Sequence, residues 1–156
     1  MSTKHRVLIT GSNGFIGSNL QLHLTERQDV EIVRFTREQS VNSLEELLVD
    51  VDFVFHLAGV NRPEDPSEFD TGNALLTQRL CDALVALAQK TGRQVPVIYT
   101  SSTQALQSHP YGRTKREAEE ALFKIADDNQ IPVHVFRLTN VFGKWCKPNY
   151  NSVVAT

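Results

Sequence analysis

The sequence predicts an α/β fold, a doubly wound parallel sheet in a single domain, and three observations predict it. Short β-branched runs alternate with longer stretches of 3.6-residue period, the pattern of β-α-β units. The runs are apolar at successive positions rather than at every second one, so helices must cover both faces of their sheet. The three loop-rich stretches, 58–66 (AGVNRPEDP), 101–110 (SSTQALQSHP) and 143–151 (GKWCKPNYN), each follow a strand, and such sheets bind ligands beyond the carboxyl ends of their strands. A chain of 156 residues is one domain at most, and it can bury roughly 68–70% of its unfolded surface.

Each element has its own signal. Strands are expected at 5–10 (HRVLIT), 30–35 (VEIVRF), 52–57 (DFVFHL), 95–100 (VPVIYT) and 131–137 (IPVHVFR), with helices at 15–27, 43–49, 67–90 and 111–129 between them. Ser43 followed by Glu46 has the spacing of a capping box for the second helix. Gly92, after Thr91, is placed to end the third helix in the left-handed conformation. Right-handed crossovers favour a strand order such as 3-2-1-4-5.

Composition narrows the function. Sixteen Lys and Arg against eighteen Asp and Glu, a net charge of −2, give no electrostatic case for nucleic acid. No apolar run approaches the ~18–20 residues that span a bilayer, and Val7-Leu8-Ile9 is too short for a signal-peptide core, so a cytoplasmic protein without membrane contact is expected. Cys81 and Cys146 are too few for a zinc site or disulfide framework; Cys81 reads as core, and Cys146 as packing or as a reactive thiol. His5, His23, His109 and His134 have no metal-ligand spacing, and His56 reads as a hydrogen-bonded strand-end residue. No metal is expected.

The stretch Thr10-Gly11-Ser12-Asn13-Gly14-Phe15-Ile16-Gly17 follows the first strand and opens a helix. Gly11 permits a tight turn, Gly14 a close approach of backbone to a pyrophosphate, and Gly17 close packing of helix on sheet. The helix start offers free N–H groups and a positive dipole end to phosphate. A Rossmann-like dinucleotide site is therefore expected. Where an NAD enzyme places an acidic residue after the second strand, this chain has Arg34-Phe35-Thr36-Arg37. Arg37, with Arg34, suits the extra phosphate of NADP, so NADPH is the expected cofactor with NAD as the alternative; two solvated arginines without selectivity is the other reading.

Tyr111 and Lys115 stand four apart at a helix start, on one face. An ammonium near a phenol favours the phenolate and lowers its pKa toward catalytic use. Ser101-Ser102, just past the fourth strand, offers a hydroxyl to a substrate oxygen that gains charge.

With TGSNGFIG, HLAG at 56–59, Asn73, YTSS at 99–102, YGRTK at 111–115 and RLTNVFG at 137–143 in this order, the chain resembles the extended short-chain dehydrogenase/reductase family of nucleotide-sugar epimerases, dehydratases and reductases. The resemblance implies Ser102, Tyr111 and Lys115 as the catalytic set, Tyr111 being the proton donor and Lys115 also holding the nicotinamide ribose. It implies a cofactor lined by Gly11, Asn13, Gly14, Phe15, Ile16, Gly17, Leu57, Ala58, Gly59, Asn73 and Leu138. Only eight residues separate Ser102 from Tyr111, a shorter link than most nucleotide-sugar epimerases have.

HLAGVNRPEDPSEF and FGKWCKPNYNSVVAT are similar to a two-domain group of UDP-sugar reductases of bacterial capsule and O-antigen synthesis. The similarity implies NADPH-dependent reduction of the C4 ketone of a UDP-2-acetamido-2,6-dideoxy-hexos-4-ulose, on the route to UDP-N-acetyl-L-fucosamine. Asn61, Arg62, Asn140 and Lys144 are candidates for the UDP-sugar, beside Lys147, Asn149 and Tyr150 in a polar-aromatic loop; the other reading of these is solvated turn residues. The family further implies a homodimer through the helices at 67–90 and 111–129. Residues 1–156 would then be a cofactor-binding domain that stops before a final strand and substrate lobe, with a cupin domain beyond, and alone would not turn over sugar. The alternatives are an NAD(P)-dependent epimerase or dehydratase and a dinucleotide-sensing domain without catalysis; the intact Tyr-Lys-Ser set argues against the last.

Overall fold

The β-branched runs pair as expected. The computed structural model describes residues 4–61 and 63–148, and its five strands form one parallel sheet in the order β2-β1-β3-β4-β5. The strands are β1 (His5–Thr10), β2 (Val30–Phe35), β3 (Phe53–His56), β4 (Val97–Ser102) and β5 (Val133–Leu138). The helices are α1 (Phe15–Thr25), α2 (Leu44–Leu48), α3 (Ser67–Phe69), α4 (Leu76–Thr91) and α5 (Pro110–Asn129). Among the described residues no helix is long and apolar enough to cross a membrane.

The strand order keeps the reversal beside β1 and the outward run of the last two strands that the 3-2-1-4-5 scheme contains. The scheme's outermost strand, beyond β2, has no counterpart among the described residues, so the third strand of the chain, β3, takes the place next to β1. The reason is local: after β2 the polar stretch from Thr36 makes a 3-10 turn (Val41–Ser43) and the short α2 instead of a strand. Register aligns the carboxyl ends, with Thr10 opposite both Phe35 and His56, and Ser102 opposite Leu138.

Three local expectations are corrected. The capping box does not form: Ser40 caps the 3-10 turn by accepting from the Asn42 N–H, and the Ser43 hydroxyl donates to the Ser40 carbonyl. Starting the turn two residues earlier uses up Ser43. The fourth strand begins after Pro96, which has no N–H to give a ladder, and runs through Ser101 and Ser102, which pair in register with β5 rather than lying past the strand. The long third helix is interrupted by a π turn at Asp70–Leu75, in which the side chain of Asn73 is buried. Gly92 does end α4 in the left-handed conformation, at φ 73°.

The core lies where Leu8, Val54, Val97 and Tyr99 of the sheet meet Leu44 and Leu48 of α2, Leu80, Leu84 and Leu87 of α4, and Leu122 and Ile125 of α5. Each fully buried leucine contributes about 1.5–3 kcal/mol. Cys81 belongs to this cluster, and burial pushes its thiol up to about 12, which leaves it inert. The result is a rigid platform that holds three loop starts side by side.

Candidate active site

The turn after β1 is built from backbone. The Gly11 N–H donates to the Phe35 carbonyl (3.2 Å) and the Gly14 N–H to the Gly11 carbonyl (2.9 Å). Gly11 has φ +68°, and a Cβ there would lie 2.7 Å from the Ala58 backbone. At Gly17 a Cβ would collide with the Gly11 carbonyl and sit 2.9 Å from the Ser12 Cα. Both positions thus exclude any side chain. Gly14 caps α1 without a side chain of its own, so the first-turn amides keep no internal acceptor.

These amides open into a cleft of about 690 Å³ lined by Gly11, Asn13 and Gly14, by Phe35 at the end of β2 with Thr36 and Arg37 after it, and by Leu57, Ala58, Gly59 and Val60 after β3. The volume and the side-chain-free glycine wall fit a dinucleotide. Phe15 and Ile16 begin α1, half-buried. Arg37 lines the cleft, with Glu38 and Gln39 on the same wall, two residues sequence reasoning did not single out. Arg34 is not brought there: it lines a separate groove with Lys4 and Arg27, its Nε donating to Gln21 Oε1. Residues 34 and 35 of a strand point to opposite sides, so Phe35 reaching the cleft takes Arg34 away from it.

Behind the cleft, hydroxyls and one imidazole tie the strand ends. Thr77 Oγ1 donates to the Asn73 carbonyl (2.7 Å), which leaves it only the role of acceptor for His56 Nε2–H (2.8 Å). His56 Nδ1 is then the acceptor of the Thr10 hydroxyl (2.7 Å), and Thr10 Oγ1 accepts from the Ala58 N–H (3.2 Å). Burial, with the Lys115 charge second, holds His56 neutral and pushes its pKa down to about 3. Asn73 accepts from the Val60 N–H (2.8 Å) and donates to the Val60 carbonyl and to Thr114 Oγ1 (3.1 and 3.2 Å), so it clamps the β3 loop to α5.

The third wall carries the titratable groups. His109 caps α5: its Nδ1 accepts from the Gly112 N–H (3.1 Å) and its Nε2–H donates to Gln107 Oε1 (2.9 Å). Pro110 fits the first helical position. The Tyr111 ring stacks on His109 at 6.2 Å and lies 5.9 Å from Phe69. Lys115 is buried beneath it, with Nζ 6.0 Å from the Tyr111 ring centre and 4.9 Å from that of Tyr99, donating to the Thr100 carbonyl (3.1 Å). A Cβ on Gly59 would stand 3.1 Å from Lys115 Nζ, so the cleft wall and the ammonium adjoin. The structure therefore brings Ser102, Tyr111 and Lys115 together beside the cleft.

Their protonation departs from the sequence expectation. Burial pushes the Tyr111 phenol above its ordinary value, and the hydrogen bond from Ser102 works the other way. Burial pushes Lys115 down to about 8, opposed by Glu119. The ammonium sits over the ring face rather than at the hydroxyl, so it does not pull the phenol down in this state. Glu119 and Arg137, bonded to each other at 2.6 Å, are the site neighbours that sequence reasoning missed; the signal was a carboxylate four residues after Lys115 on the same buried face.

The substrate candidates do not line the cleft among the described residues. Leu138 ends β5 half-buried; Asn61, Asn140 and Lys144 are exposed, and Arg62, Asn149 and Tyr150 lie outside the described residues. Lys144 Nζ stands 4.6 Å over the Trp145 ring, and its carbonyl accepts from Asn19 Nδ2 (2.9 Å), which ties the loop after β5 to α1. Cys146 is half-buried.

The sequence matches the description "NAD dependent epimerase/dehydratase family" over residues 7–156. It is 56% identical over 151 residues to a UDP-2-acetamido-2,6-beta-L-arabino-hexul-4-ose reductase of Pseudomonas aeruginosa, covering 97% of this chain and 40% of the relative. The fold matches the crystal structure of the capsular polysaccharide assembling protein CapF from Staphylococcus aureus with a TM-score of 0.77 and 42% identity, over 96% of this chain and 39% of that one. It also matches UDP-glucuronic acid 4-epimerase from Bacillus cereus in complex with NAD, with a TM-score of 0.77 and 22% identity, over 94% of this chain and 58% of that one. The chain thus spans about two fifths of the length of the first two.

Proposed function

The chain belongs to the NAD dependent epimerase/dehydratase family, and from that premise we propose that it is the cofactor-binding part of an NADPH-dependent reductase. Its substrate would be the C4 ketone of a UDP-2-acetamido-2,6-dideoxy-hexos-4-ulose, in bacterial capsule or O-antigen synthesis. The observation that carries this reading is the meeting of Ser102, Tyr111 and the buried Lys115 at the edge of the glycine-walled cleft. The 56% identity to a UDP-sugar reductase supports the substrate class.

NADPH, when bound, supplies the hydride that C4 of the sugar receives. The α1 amides and Gly14 hold its pyrophosphate, Arg37 its 2′-phosphate, and Lys115 its nicotinamide ribose. Ser102 holds the carbonyl oxygen that gains charge, and Tyr111 gives that oxygen its phenolic proton. A phenol kept protonated by burial suits an acid that must still hold its proton at neutral pH. Lys115 then stabilises the phenolate that remains. Asn61, Asn140 and Lys144 meet the UDP-sugar. A cytoplasmic homodimer through α4 and α5 belongs to the same reading, supported by Leu75 and Phe123, 50% and 45% exposed beside that helix pair. Residues 1–156 alone bind cofactor without turnover.

The test is to offer NADPH and the UDP-4-keto sugar to the full-length protein and weigh the products. A sugar that gains two hydrogen atoms as NADPH is oxidised is the expected result. Epimerised sugar without net oxidation of cofactor overturns it in favour of an epimerase, and cofactor binding without turnover in favour of a sensing domain. Tighter binding of NADH than of NADPH removes the role of Arg37.

A further inference from the structure

Three residues of α5, each one turn beyond the last, meet three consecutive residues at the end of β4. The Ser102 hydroxyl lies near enough to the Tyr111 phenol to lower its pKa, Lys115 Nζ donates to the Thr100 carbonyl (3.1 Å), and Ser101 Oγ donates to Glu119 Oε1 (2.5 Å). The first two rungs hold the reacting groups; the third lies beneath them. The Glu119 side chain is 2% exposed, and Arg137 on β5 grips it with Nη2 at 2.6 Å and Nε at 3.0 and 3.2 Å. A buried carboxylate in an ion pair is weak evidence of a stabilising role, since apolar residues of similar volume often serve as well. Its placement is better accounted for by the groups above it.

We propose that Glu119 is a positioning residue of the reaction centre: its carboxylate fixes Ser101, and through it the adjoining Thr100 carbonyl and Ser102 hydroxyl, and supplies the negative charge that lets Lys115 remain an ammonium below the surface. The inference rests on Tyr111 and Lys115 being the reductase centre proposed above. The groups facing Lys115 are Tyr111 from its own helix, Tyr99 from β4 and the neutral His56 from β3, with Arg137 of β5 on the far side of Glu119. Among the described residues, the anion that acts on Lys115 is Glu119, one turn on along the same helix. Burial disfavours its charge, but hydrogen bonds from Arg137 and Ser101 outweigh burial and hold its carboxyl below the ordinary value. The same charge opposes the fall of the Lys115 pKa.

Glu119→Gln keeps an acceptor for Ser101 and removes the charge. In the full-length enzyme the high-pH decline of kcat is expected to move down by roughly one pH unit, as removal of a neighbouring opposite charge does. The titration of Lys115, followed by carbon NMR of lysine-labelled protein and assigned with Lys115→Arg, is expected to move with it. A kcat profile and a Lys115 titration that both coincide with those of the unsubstituted enzyme overturn the proposal, as does a loss of activity equal at every pH. Should the Gln variant not fold, Glu119→Asp keeps the charge and withdraws it by one methylene: kcat is expected to drop with the profile in place, and an unchanged kcat overturns the positioning role. If the unsubstituted enzyme reduces no UDP-4-keto sugar, the reductase reading fails while the Lys115 titration still decides the role of Glu119.

Discussion

The two halves of the site are made of different material. The glycine turn and the ends of β1 and β3 form a wall of backbone, where Gly11 and Gly17 leave no room for a Cβ. The facing half, β4 and α5, is a stack of buried side chains whose charges balance one another: Tyr111, Lys115, Glu119 and Arg137. The glycine turn depends on shape. The side-chain half depends on protonation.

Substitutions that strike one half and spare the other test this division. Tyr111→Phe keeps the ring stacked on His109 and removes the proton, so kcat is expected to fall by about 10²–10⁴ with cofactor affinity retained; titration of the variant with NADPH checks the second part. Gly17→Ala does the reverse, forcing α1 off the turn: a loss of about 1–3 kcal/mol is expected, seen as a lower Tm, with cofactor binding weakened more than any property of the Tyr111 pair. An alanine variant that binds cofactor normally would remove the backbone half of the contrast.

The seam between the halves gives a pH signature. His56 is neutral in the fold, with its pKa pushed down to about 3, and takes up its proton near its ordinary 6.5 when the chain unfolds. Its contribution to stability is therefore complete above about 6.5 and is lost as pH falls toward 3, by up to about 1.4 kcal/mol per pH unit. Urea unfolding at pH 7.5 and pH 5 measures this, and His56→Gln is expected to flatten the dependence. The smallest effect is expected at Tyr99, whose buried hydroxyl has no hydrogen-bond partner among the described residues. Tyr99→Phe keeps the ring under Lys115 and should change stability by less than about 1 kcal/mol, without loss of kcat.

The same division explains what could be read from the sequence. Backbone requirements leave plain marks: the glycine spacing after HRVLIT located the turn, and the left-handed Gly92 located a helix end. Helical spacing likewise paired Tyr111 with Lys115. Side-chain networks leave fainter ones, because their partners are distant in sequence. Glu119 and Arg137 are eighteen residues apart and meet only because β4 and β5 align Ser101 with Arg137. Two serines read as loop because they are polar; in the strand Ser101 is satisfied by Glu119 and Ser102 by the turn it caps. Arg34 and Arg37 look equivalent as a pair, but the alternation of β2 turns Arg34 to a different groove while Arg37, beyond the strand end, lines the cleft. The expected capping box failed because Ser40 competes for the same role three residues earlier.

The π turn at Asp70–Leu75 holds one residue more than an α-helical turn needs, and Asn73 sits in it with its side-chain amide spent on Val60 and Thr114. The wide turn takes up that extra residue without turning the helix that follows, so the clamp on the β3 loop and the packing of α4 are set independently. Removing a single residue between 70 and 75 would let the turn relax to ordinary helix with Leu80, Leu84 and Leu87 still facing the core that they fill, while Asn73 would lose its place opposite Val60 and Thr114. The loop after β3 is thus held by a local excess of chain, and a deletion there would free the loop before it disturbed the core.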